Sequence, residues 1–170
     1  MEPTARFDPE LLLRAQSVRL VFLDVDGVLT DGGLYFTAEG ETLKRFNSLD
    51  GQGLNYLRAK GIEPVIITGR DSAPLRVRLQ ALGITQAHFG VHDKLAVAQE
   101  VLKEQGLSAE QAAAMGDDWP DLPVMRLCAL AAAPAQAHAE VLAQAHWVSQ
   151  HAGGHGAVRD QVLDDVELLR

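Results

Sequence analysis

Short apolar runs alternate along the chain with longer stretches in which apolar residues recur at every third or fourth position. A short continuous apolar run is typical of a strand buried on both faces, and the longer spacing is typical of a helix packed against a sheet. The runs predict strands at 18–23, 64–67, 87–89, 112–115, 128–133 and 146–148. The longer stretches predict helices at about 51–60, between Ser72 and Gly83, between Asp93 and Gly106, after Pro134 and from about 157. This alternation predicts βαβ units and a doubly wound, mostly parallel, Rossmann-like α/β sheet.

Local signals modify this pattern at three places. Two short runs on either side of Glu39-Gly40-Glu41 predict a β-hairpin insertion at 33–46. Asp50 is predicted to cap the helix that follows, and Gly153-Gly154 predicts a flexible C-terminal tail from about 153. The chain contains no repeat and no long linker, and only about 40 residues separate Asp26 from Thr68. We therefore expect a single domain over 1–170 with no large cap domain.

Polar side chains follow the predicted strands at the points where those strands end. They are Asp24 and Asp26 after the first strand, Thr68 after the second, Lys94 after the third, and Asp117, Asp118 and Asp121 after the fourth. In an open parallel sheet the carboxyl ends of the strands form one edge, and ligands bind there. Carboxylates that converge repel one another, so a divalent cation is the simplest means of holding them together, and oxygen ligands favour Mg²⁺ over zinc.

Charge and composition argue against several other classes of protein. The formal net charge is −8, whereas nucleic-acid binding usually requires a basic face. The single cysteine, Cys128, excludes an internal disulfide framework and a multi-cysteine zinc site. No apolar run reaches the roughly 20 residues of a membrane span, and charges throughout 1–13 leave no signal-peptide core. We expect a cytoplasmic protein with a small-molecule substrate and with neither a nucleic-acid nor a membrane partner.

Four motifs, taken in order, resemble those of the phosphatases of the haloacid dehalogenase superfamily. The first is Asp24-Val25-Asp26-Gly27-Val28-Leu29-Thr30-Asp31, and Thr68, Lys94 and Gly116-Asp117-Asp118-x-x-Asp121 resemble the other three. Further segments at 44–47, 50–51, 66–70 and 153–159 are similar to the cap-less 3-deoxy-D-manno-octulosonate 8-phosphate phosphatase family, so the resemblance covers about residues 18–160. His155 departs from the family pattern, which usually has arginine there, and the C-terminal tail is short.

The resemblance implies a Mg²⁺-dependent phosphoric monoester hydrolase that works through an aspartyl-phosphate. Asp24 would be the nucleophile, and Asp26 would act first as general acid and then as general base. Thr68 would donate to a phosphoryl oxygen, and Lys94 would neutralise negative charge on the nucleophile and the phosphate.

The same resemblance implies the metal ligands. Mg²⁺ would be held by Asp24, by the backbone carbonyl of Asp26 and by Asp117. Asp118 and Asp121 would lie behind these ligands and orient metal-bound water or Lys94.

Four cations are candidates for substrate binding, namely Lys44, Arg45, Arg70 and Arg159. Each has an alternative interpretation. The two hairpin cations could protect a strand edge from aggregation. Arg70 could bind a substrate carboxylate bidentately or form a salt bridge at a helix entry, and Arg159 could lie on a helix surface. Trp119 could be a pocket wall or a subunit contact.

The family resemblance also implies a substrate and an assembly. The substrate would be 3-deoxy-D-manno-octulosonate 8-phosphate, in lipopolysaccharide precursor synthesis, and the enzyme would be a homotetramer. Because a cap-less site is open to water, we expect the hairpin at 33–46 to close the site of a neighbouring subunit, with its cations shared between subunits. The alternatives are a phosphatase of a nine-carbon keto-sugar acid 9-phosphate, a haloalkanoic acid dehalogenase, and a non-catalytic oligomerisation domain of the same fold.

Overall fold

Six parallel strands form the central sheet of the computed structural model, which describes residues 9–161. In chain order the strands are β1 (Leu20–Leu23), β2 (Tyr35–Thr37), β3 (Gly40–Leu43), β4 (Glu63–Ile67), β5 (Ala87–His88), β6 (Ala112–Met115), β7 (Leu130–Ala133) and β8 (Trp147–Val148). The sheet has the order β5-β4-β1-β6-β7-β8, and every pair in it is parallel. The predicted doubly wound α/β fold is confirmed, and β1 is the central strand at which the strand order reverses.

Helices cover both faces of this sheet. They are α1 (Pro9–Gln16), α2 (Ser48–Ala59), α3 (Ala73–Ala81), α4 (Lys94–Gln105), α5 (Leu122–Leu127) and α6 (Ala139–Gln144). Successive side chains of a strand point to opposite faces, so β1 contributes Val21 and Leu23 to one buried cluster and Leu20 and Phe22 to the other. Both faces of the strand are therefore buried, which explains its continuous apolar run.

The predicted hairpin is present between β1 and α2. Strands β2 and β3 pair antiparallel within the predicted range 33–46, and the hairpin exposes the large apolar residues Leu34, Tyr35, Phe36 and Leu43. Between β1 and β4 the described chain otherwise forms loops and α2, so this stretch holds no cap domain. No helix among residues 9–161 is long and apolar enough to cross a membrane.

The predicted cap of α2 is wrong. Asn47 is the N-cap, because its backbone is extended and its side chain accepts a hydrogen bond from Leu49 N at 2.9 Å. Asp50 lies within the helix and is buried. Its carboxylate accepts hydrogen bonds from the backbone N–H groups of Gly156 and Val158, at 3.1 and 3.0 Å. Asp50 therefore caps a different helix, which starts at 157 as predicted.

Several other boundaries differ from the predictions. Helices α1 and α5 were not predicted, and the strand predicted at 128–133 begins at Leu130. Cys128 is buried as expected, but it ends α5, and its N–H donates to Val124 O at 3.2 Å. Pro134 starts a turn rather than a helix, because Ala137 N bonds back to Pro134 O, and α6 begins only after His138.

The first residues of the segment from about 153, which the sequence predicts to be a flexible tail, pack against the loop that follows β1. Gly153, Gly154 and Val158 are buried, and Gly154 N donates to Val28 O at 3.0 Å. A Cβ atom on Gly153 would lie 1.9 Å from Gly27 O. Only glycine permits so close an approach, so the glycines bring this segment against the loop that follows β1. Residues 162–170 of the predicted tail lie outside the described residues.

Candidate active site

The loop after β1 carries the two aspartates of the first motif. Asp24 follows the last residue of β1 directly, Asp26 lies two residues further on, and Gly27 turns the chain with a positive φ of 99°. A Cβ atom on Gly27 would lie 2.0 Å from Oδ2 of Asp117. The absence of a side chain at Gly27 therefore allows the carboxylate that follows β6 to approach the loop that follows β1.

Lys94 links the carboxylates that follow β1 and β6. Its Nζ lies 2.6 Å from Oδ1 of Asp24 and 2.7 Å from Oδ1 of Asp121. The second oxygen of Asp121 accepts hydrogen bonds from the backbone N–H groups of Asp117 and Asp118, at 3.0 and 3.2 Å. Lys94 is the first residue of α4, which is capped by Asp93. Helix α4 thus fixes the ammonium group at the edge where β1 and β6 end.

Asp24, Asp117 and Asp121 form an acidic cluster around this ammonium group. Each offers one carboxylate oxygen, and these three oxygens lie within 4.8 Å of one another. Burial, reinforced by the charge of Asp121, raises the pKa of Asp24 to about 6, although Lys94 opposes the shift. Burial and the neighbouring charges, with Asp24 and Asp121 first among them, raise the pKa of Asp117 to about 7.

One ammonium group does not balance three carboxylates. Burial disfavours the charged form of Lys94, but Asp24 and Asp121 outweigh it and raise the pKa of Lys94, so the side chain stays protonated. The raised pKa values of Asp24 and Asp117 show that the cluster resists carrying three negative charges. Converging carboxylate oxygens with an excess of negative charge are the donor set that fits Mg²⁺.

Asp26 lies in a second cluster with cations. The Lys44 ammonium contacts Oδ1 of Asp26 and lies 2.7 Å from Oε1 of Glu41. Arg70 donates through Nε and Nη2 to Oε2 of Glu41, at 3.2 and 3.1 Å, and its Nε lies 3.9 Å from Oδ2 of Asp26. The Lys44 side chain is fully buried. Two predicted substrate cations, Lys44 and Arg70, therefore face the predicted general acid of their own chain.

Glu41 is the member of this cluster that the sequence did not reveal. A glutamate in a short polar hairpin is ordinarily taken to be exposed, and no motif includes it. Its side chain is 8% exposed, because β3 folds back over the loops that follow β1 and β4. Only its spacing from Lys44, three residues along the hairpin, could have suggested a pair.

Two further predicted residues lie in the loops around the acidic cluster. Thr68 is buried, and its hydroxyl oxygen accepts a hydrogen bond from Arg70 N at 3.2 Å, which leaves the hydroxyl hydrogen available to a ligand. Asp118 is exposed, and its side chain accepts from Trp119 N at 2.8 Å. Of the two predicted supporting aspartates, Asp121 contacts Lys94, whereas Asp118 caps a short 3₁₀ helix.

The other two candidate substrate cations lie elsewhere. Arg45 donates to Gly154 O at 3.3 Å, and its Nη1 lies 3.3 Å from Nε2 of His155. The guanidinium of Arg159 stacks over the ring of Tyr56, with 4.8 Å between Cζ and the ring centroid. Arg45 thus contacts the segment at 153–156, while Arg159 contacts α2.

Trp119 and Gln136 lie at the edges of the site. Trp119 is exposed, and its indole N–H donates to Nδ1 of His138 at 3.2 Å. Gln136 was not predicted. Its amide donates to Gly27 O and its carbonyl accepts from Gly153 N, both at 2.7 Å. Gln136 therefore joins the segment at 153–156 to the loop that carries both aspartates.

Comparisons with known proteins agree with this geometry. A family model described as haloacid dehalogenase-like hydrolase matches residues 89–159. The chain is 43% identical over 151 residues to the 3-deoxy-D-manno-octulosonate 8-phosphate phosphatase KdsC of Yersinia pestis, covering 89% of this chain and 81% of the relative. It is 40% identical over 151 residues to KdsC of Escherichia coli K12, covering 89% and 80%.

Solved structures show the same likeness. The 3-deoxy-D-manno-octulosonate 8-phosphate phosphatase from Moraxella catarrhalis, in complex with magnesium ion, phosphate ion and KDO, superposes with a TM-score of 0.91 at 33% identity, covering 95% of this chain and 93% of that one. The cobalt-bound deoxy-D-mannose-octulosonate 8-phosphate phosphatase from Haemophilus influenzae gives a TM-score of 0.88 at 36% identity, covering 91% of both chains.

Proposed function

Because the chain belongs to the 3-deoxy-D-manno-octulosonate 8-phosphate phosphatase family of haloacid dehalogenase-like hydrolases, we propose that it hydrolyses that sugar-acid phosphate to the free sugar acid and phosphate. The observation that carries the proposal is the Asp24–Lys94–Asp121 contact at the carboxyl ends of β1 and β6, with Asp117 beside it. This arrangement supplies a carboxylate nucleophile, a fixed ammonium group and an oxygen donor set at one point.

Asp24 is the nucleophile in the first step. Its carboxylate oxygen forms a bond to phosphorus, the bond from phosphorus to the sugar oxygen breaks, and an aspartyl-phosphate results. Asp26 gives a proton to the departing oxygen, so that the leaving group is an alcohol and not a strongly basic alkoxide. Lys94 and the Thr68 hydroxyl stabilise the negative charge on the phosphoryl oxygens during the transfer.

The second step restores the enzyme. A water molecule attacks the phosphorus of the aspartyl-phosphate, Asp26 takes a proton from that water, and the bond from phosphorus to Asp24 breaks. One proton thus leaves Asp26 in the first step and one returns in the second. Asp26 lies outside the acidic cluster, so it exchanges protons beside a nucleophile whose ionised form is favoured by Lys94.

Asp24, Asp117 and the backbone carbonyl of Asp26 are the residues that would hold Mg²⁺. When bound, Mg²⁺ would supply the positive charge that Lys94 alone does not provide and would draw electrons from the phosphoryl group. Asp121 would keep Lys94 and the Asp117 backbone in position, through the contacts described above.

The substrate carries a carboxylate as well as a phosphate, and this chain has a net charge of −8. Arg70 lies next to Asp26 with its side chain 39% exposed, and we assign it to substrate contact. The predicted substrate contact of Lys44 is not retained, because its side chain is buried against Asp26 and Glu41. Arg45 and Arg159 are assigned contacts with the substrate that lie further from Asp26. The proposal includes a role in lipopolysaccharide precursor synthesis and a cytoplasmic location.

A substrate panel tests this function. Phosphate release would be measured with Mg²⁺ from 3-deoxy-D-manno-octulosonate 8-phosphate and from a nine-carbon keto-sugar acid 9-phosphate, and halide release from a chloroalkanoic acid. We expect the highest kcat/KM on the eight-carbon substrate. A higher kcat/KM on the nine-carbon substrate would identify that sugar acid phosphate as the substrate. Halide release alone would indicate a dehalogenase, and no turnover at all would favour a non-catalytic domain.

We also propose a homotetramer in which a neighbouring hairpin closes the site. Exposed Tyr35 and Phe36 on a two-stranded hairpin support this, because such a hairpin is marginal in water by itself. The expectation that Lys44 reaches a neighbour's substrate is wrong for this chain, since its side chain is buried against its own Asp26 and Glu41. Sedimentation of the wild type as a monomer, or an unchanged oligomer in Phe36→Glu, would contradict the assembly.

A further inference from the structure

Glu41 holds two cations with one buried carboxylate. One oxygen lies 2.7 Å from the Lys44 ammonium, and the other accepts from Nε and Nη2 of Arg70 at 3.2 and 3.1 Å. Burial favours the neutral acid, but the hydrogen bonds from Lys44 and Arg70 outweigh it and lower the pKa of Glu41. Glu41 is therefore ionised, and it serves as the counterion of both cations.

The same two cations face Asp26. Lys44 contacts Oδ1 of Asp26, whereas Arg70 Nε remains 3.9 Å from Oδ2, which is beyond hydrogen-bond distance. When Asp26 is ionised, two carboxylates and two cations balance in this cluster, and a proton on Asp26 leaves one positive charge in excess. Arg70 makes its hydrogen bonds to Glu41 and not to Asp26, so the two oxygens of Asp26 differ in their environment.

Removing the charge of Glu41 would change this division. Arg70, whose side chain is 39% exposed, would lose the carboxylate that accepts both of its side-chain hydrogen bonds, and its guanidinium would be attracted towards the nearest remaining carboxylate. For Arg70 that carboxylate is Asp26, at 3.9 Å. Asp26 would then be bound by a cation at each oxygen, and neither oxygen would be free to exchange a proton with the substrate.

We propose that Glu41 is a positioning residue that keeps Arg70 away from Asp26, so that Oδ2 of Asp26 carries the proton given to the leaving group. In the first step this proton moves from Oδ2 to the departing oxygen as its bond to phosphorus breaks. In the second step Oδ2 takes a proton from the attacking water. Glu41 itself neither gains nor loses a proton. The inference rests on the proposed function, in which Asp26 is the acid.

The test compares two leaving groups on Glu41→Gln, which keeps the side-chain shape and removes the charge. Phenyl phosphate and 4-nitrophenyl phosphate share a ring and have no carboxylate, but phenolate is the more basic leaving group and depends more on a proton. The quantity compared is kcat/KM on phenyl phosphate divided by kcat/KM on 4-nitrophenyl phosphate. We use kcat/KM because it covers the steps up to the aspartyl-phosphate. Loss of a well-placed general acid typically costs 10²–10⁴-fold, so we expect about a tenfold or greater loss on phenyl phosphate and less than about threefold on 4-nitrophenyl phosphate.

A second variant distinguishes positioning from a merely structural defect. In Glu41→Gln combined with Arg70→Gln, the cation that would capture Asp26 is gone and the cluster is again balanced in charge. The ratio for the two phosphates should return towards the wild-type value. This double variant also provides the test if Glu41→Gln alone does not fold. Glu39→Gln is the matched control, because Glu39 lies in the same hairpin and contacts Thr37.

Two results would overturn the inference. One is an equal loss on both phosphates in Glu41→Gln, or no loss on either. The other is a double variant in which the ratio stays as low as in Glu41→Gln. These results differ from a failure of the proposed function, which would appear in the wild type as no Mg²⁺-dependent hydrolysis of the sugar-acid phosphate.

Discussion

Asp24 and Asp26 are two residues apart in one loop, but their side chains lie in clusters with different charge balance. Asp24 shares the single ammonium of Lys94 with Asp121, and Asp117 adds a third carboxylate. Asp26 lies with Glu41, Lys44 and Arg70, where two negative charges meet two positive charges.

The difference explains how one loop can support two kinds of chemistry. The cluster around Asp24 has an excess of negative charge, which raises the pKa values of Asp24 and Asp117 and favours a divalent cation. The cluster around Asp26 is already balanced, so it needs no metal ion. The two roles that we propose, a nucleophile beside a metal site and an acid beside fixed cations, therefore follow from the different partners of Asp24 and Asp26.

The largest effect should come from removing the nucleophile. Asp24→Asn keeps the size of the side chain but removes the negative charge that we propose attacks phosphorus. By comparison with the loss of other covalent nucleophiles, we expect kcat to fall by about 10³-fold or more. Steady-state phosphate release measures the change, and circular dichroism checks the fold. Turnover within tenfold of wild type would remove Asp24 from this role.

Smaller losses of kcat, of different size, are expected when the two buried lysines, Lys94 and Lys44, are replaced. Lys94→Gln removes a charge that we assign to the transferring phosphoryl group, and loss of such a group costs about 10²–10³-fold in kcat. Lys44→Gln leaves Asp26 with Arg70 nearby, so we expect only about a tenfold loss, in the lower range for acid–base assistance. Equal losses of kcat in the two variants would mean that the two clusters do not divide the chemistry as proposed.

The acidic cluster could be predicted from the sequence because its members follow strands. The apolar runs of β1 and β6 end just before Asp24 and Asp117, and the run of β4 ends just before the neighbouring Thr68. The carboxyl ends of parallel strands meet at one edge of the sheet. Their order along the chain and the strands before them were enough to bring these residues together. The fold class was predictable for the same reason, since the spacing of apolar residues determines which segments are strands.

The balanced cluster of Asp26, Glu41, Lys44 and Arg70 could not be predicted from the sequence. It forms only because the hairpin folds back over the loops that follow β1 and β4. The sequence indicated Lys44 and Arg70 as cations without showing that they share Glu41, 29 residues before Arg70. Asp50 was misassigned for a related reason. A carboxylate near the start of a helix favours a local cap, whereas its partners Gly156 and Val158 are more than 100 residues away.

The last expected effect is a pH dependence of metal binding at the acidic cluster. A protonated carboxyl group is a poor ligand for a cation, so binding must displace protons from Asp24 and Asp117. Their pKa values are about 6 and about 7. Mg²⁺ affinity should therefore increase by about twentyfold from pH 6 to pH 8, about tenfold from Asp117 and about twofold from Asp24. Titration calorimetry near pH 6.5, in two buffers of different ionisation enthalpy, should show release of about one proton.

Variants in the two clusters provide the controls for this measurement. Asp117→Asn removes the carboxylate with the higher pKa, so both the affinity for Mg²⁺ and its increase above pH 6 should decline. Glu41→Gln changes the balanced cluster, and we expect its Mg²⁺ affinity to stay within about twofold of wild type, because a side chain that binds no metal contributes only a distant, screened charge. An affinity independent of pH would contradict the role of Asp117 as a ligand. A large loss in Glu41→Gln would show that the two clusters act as one electrostatic unit.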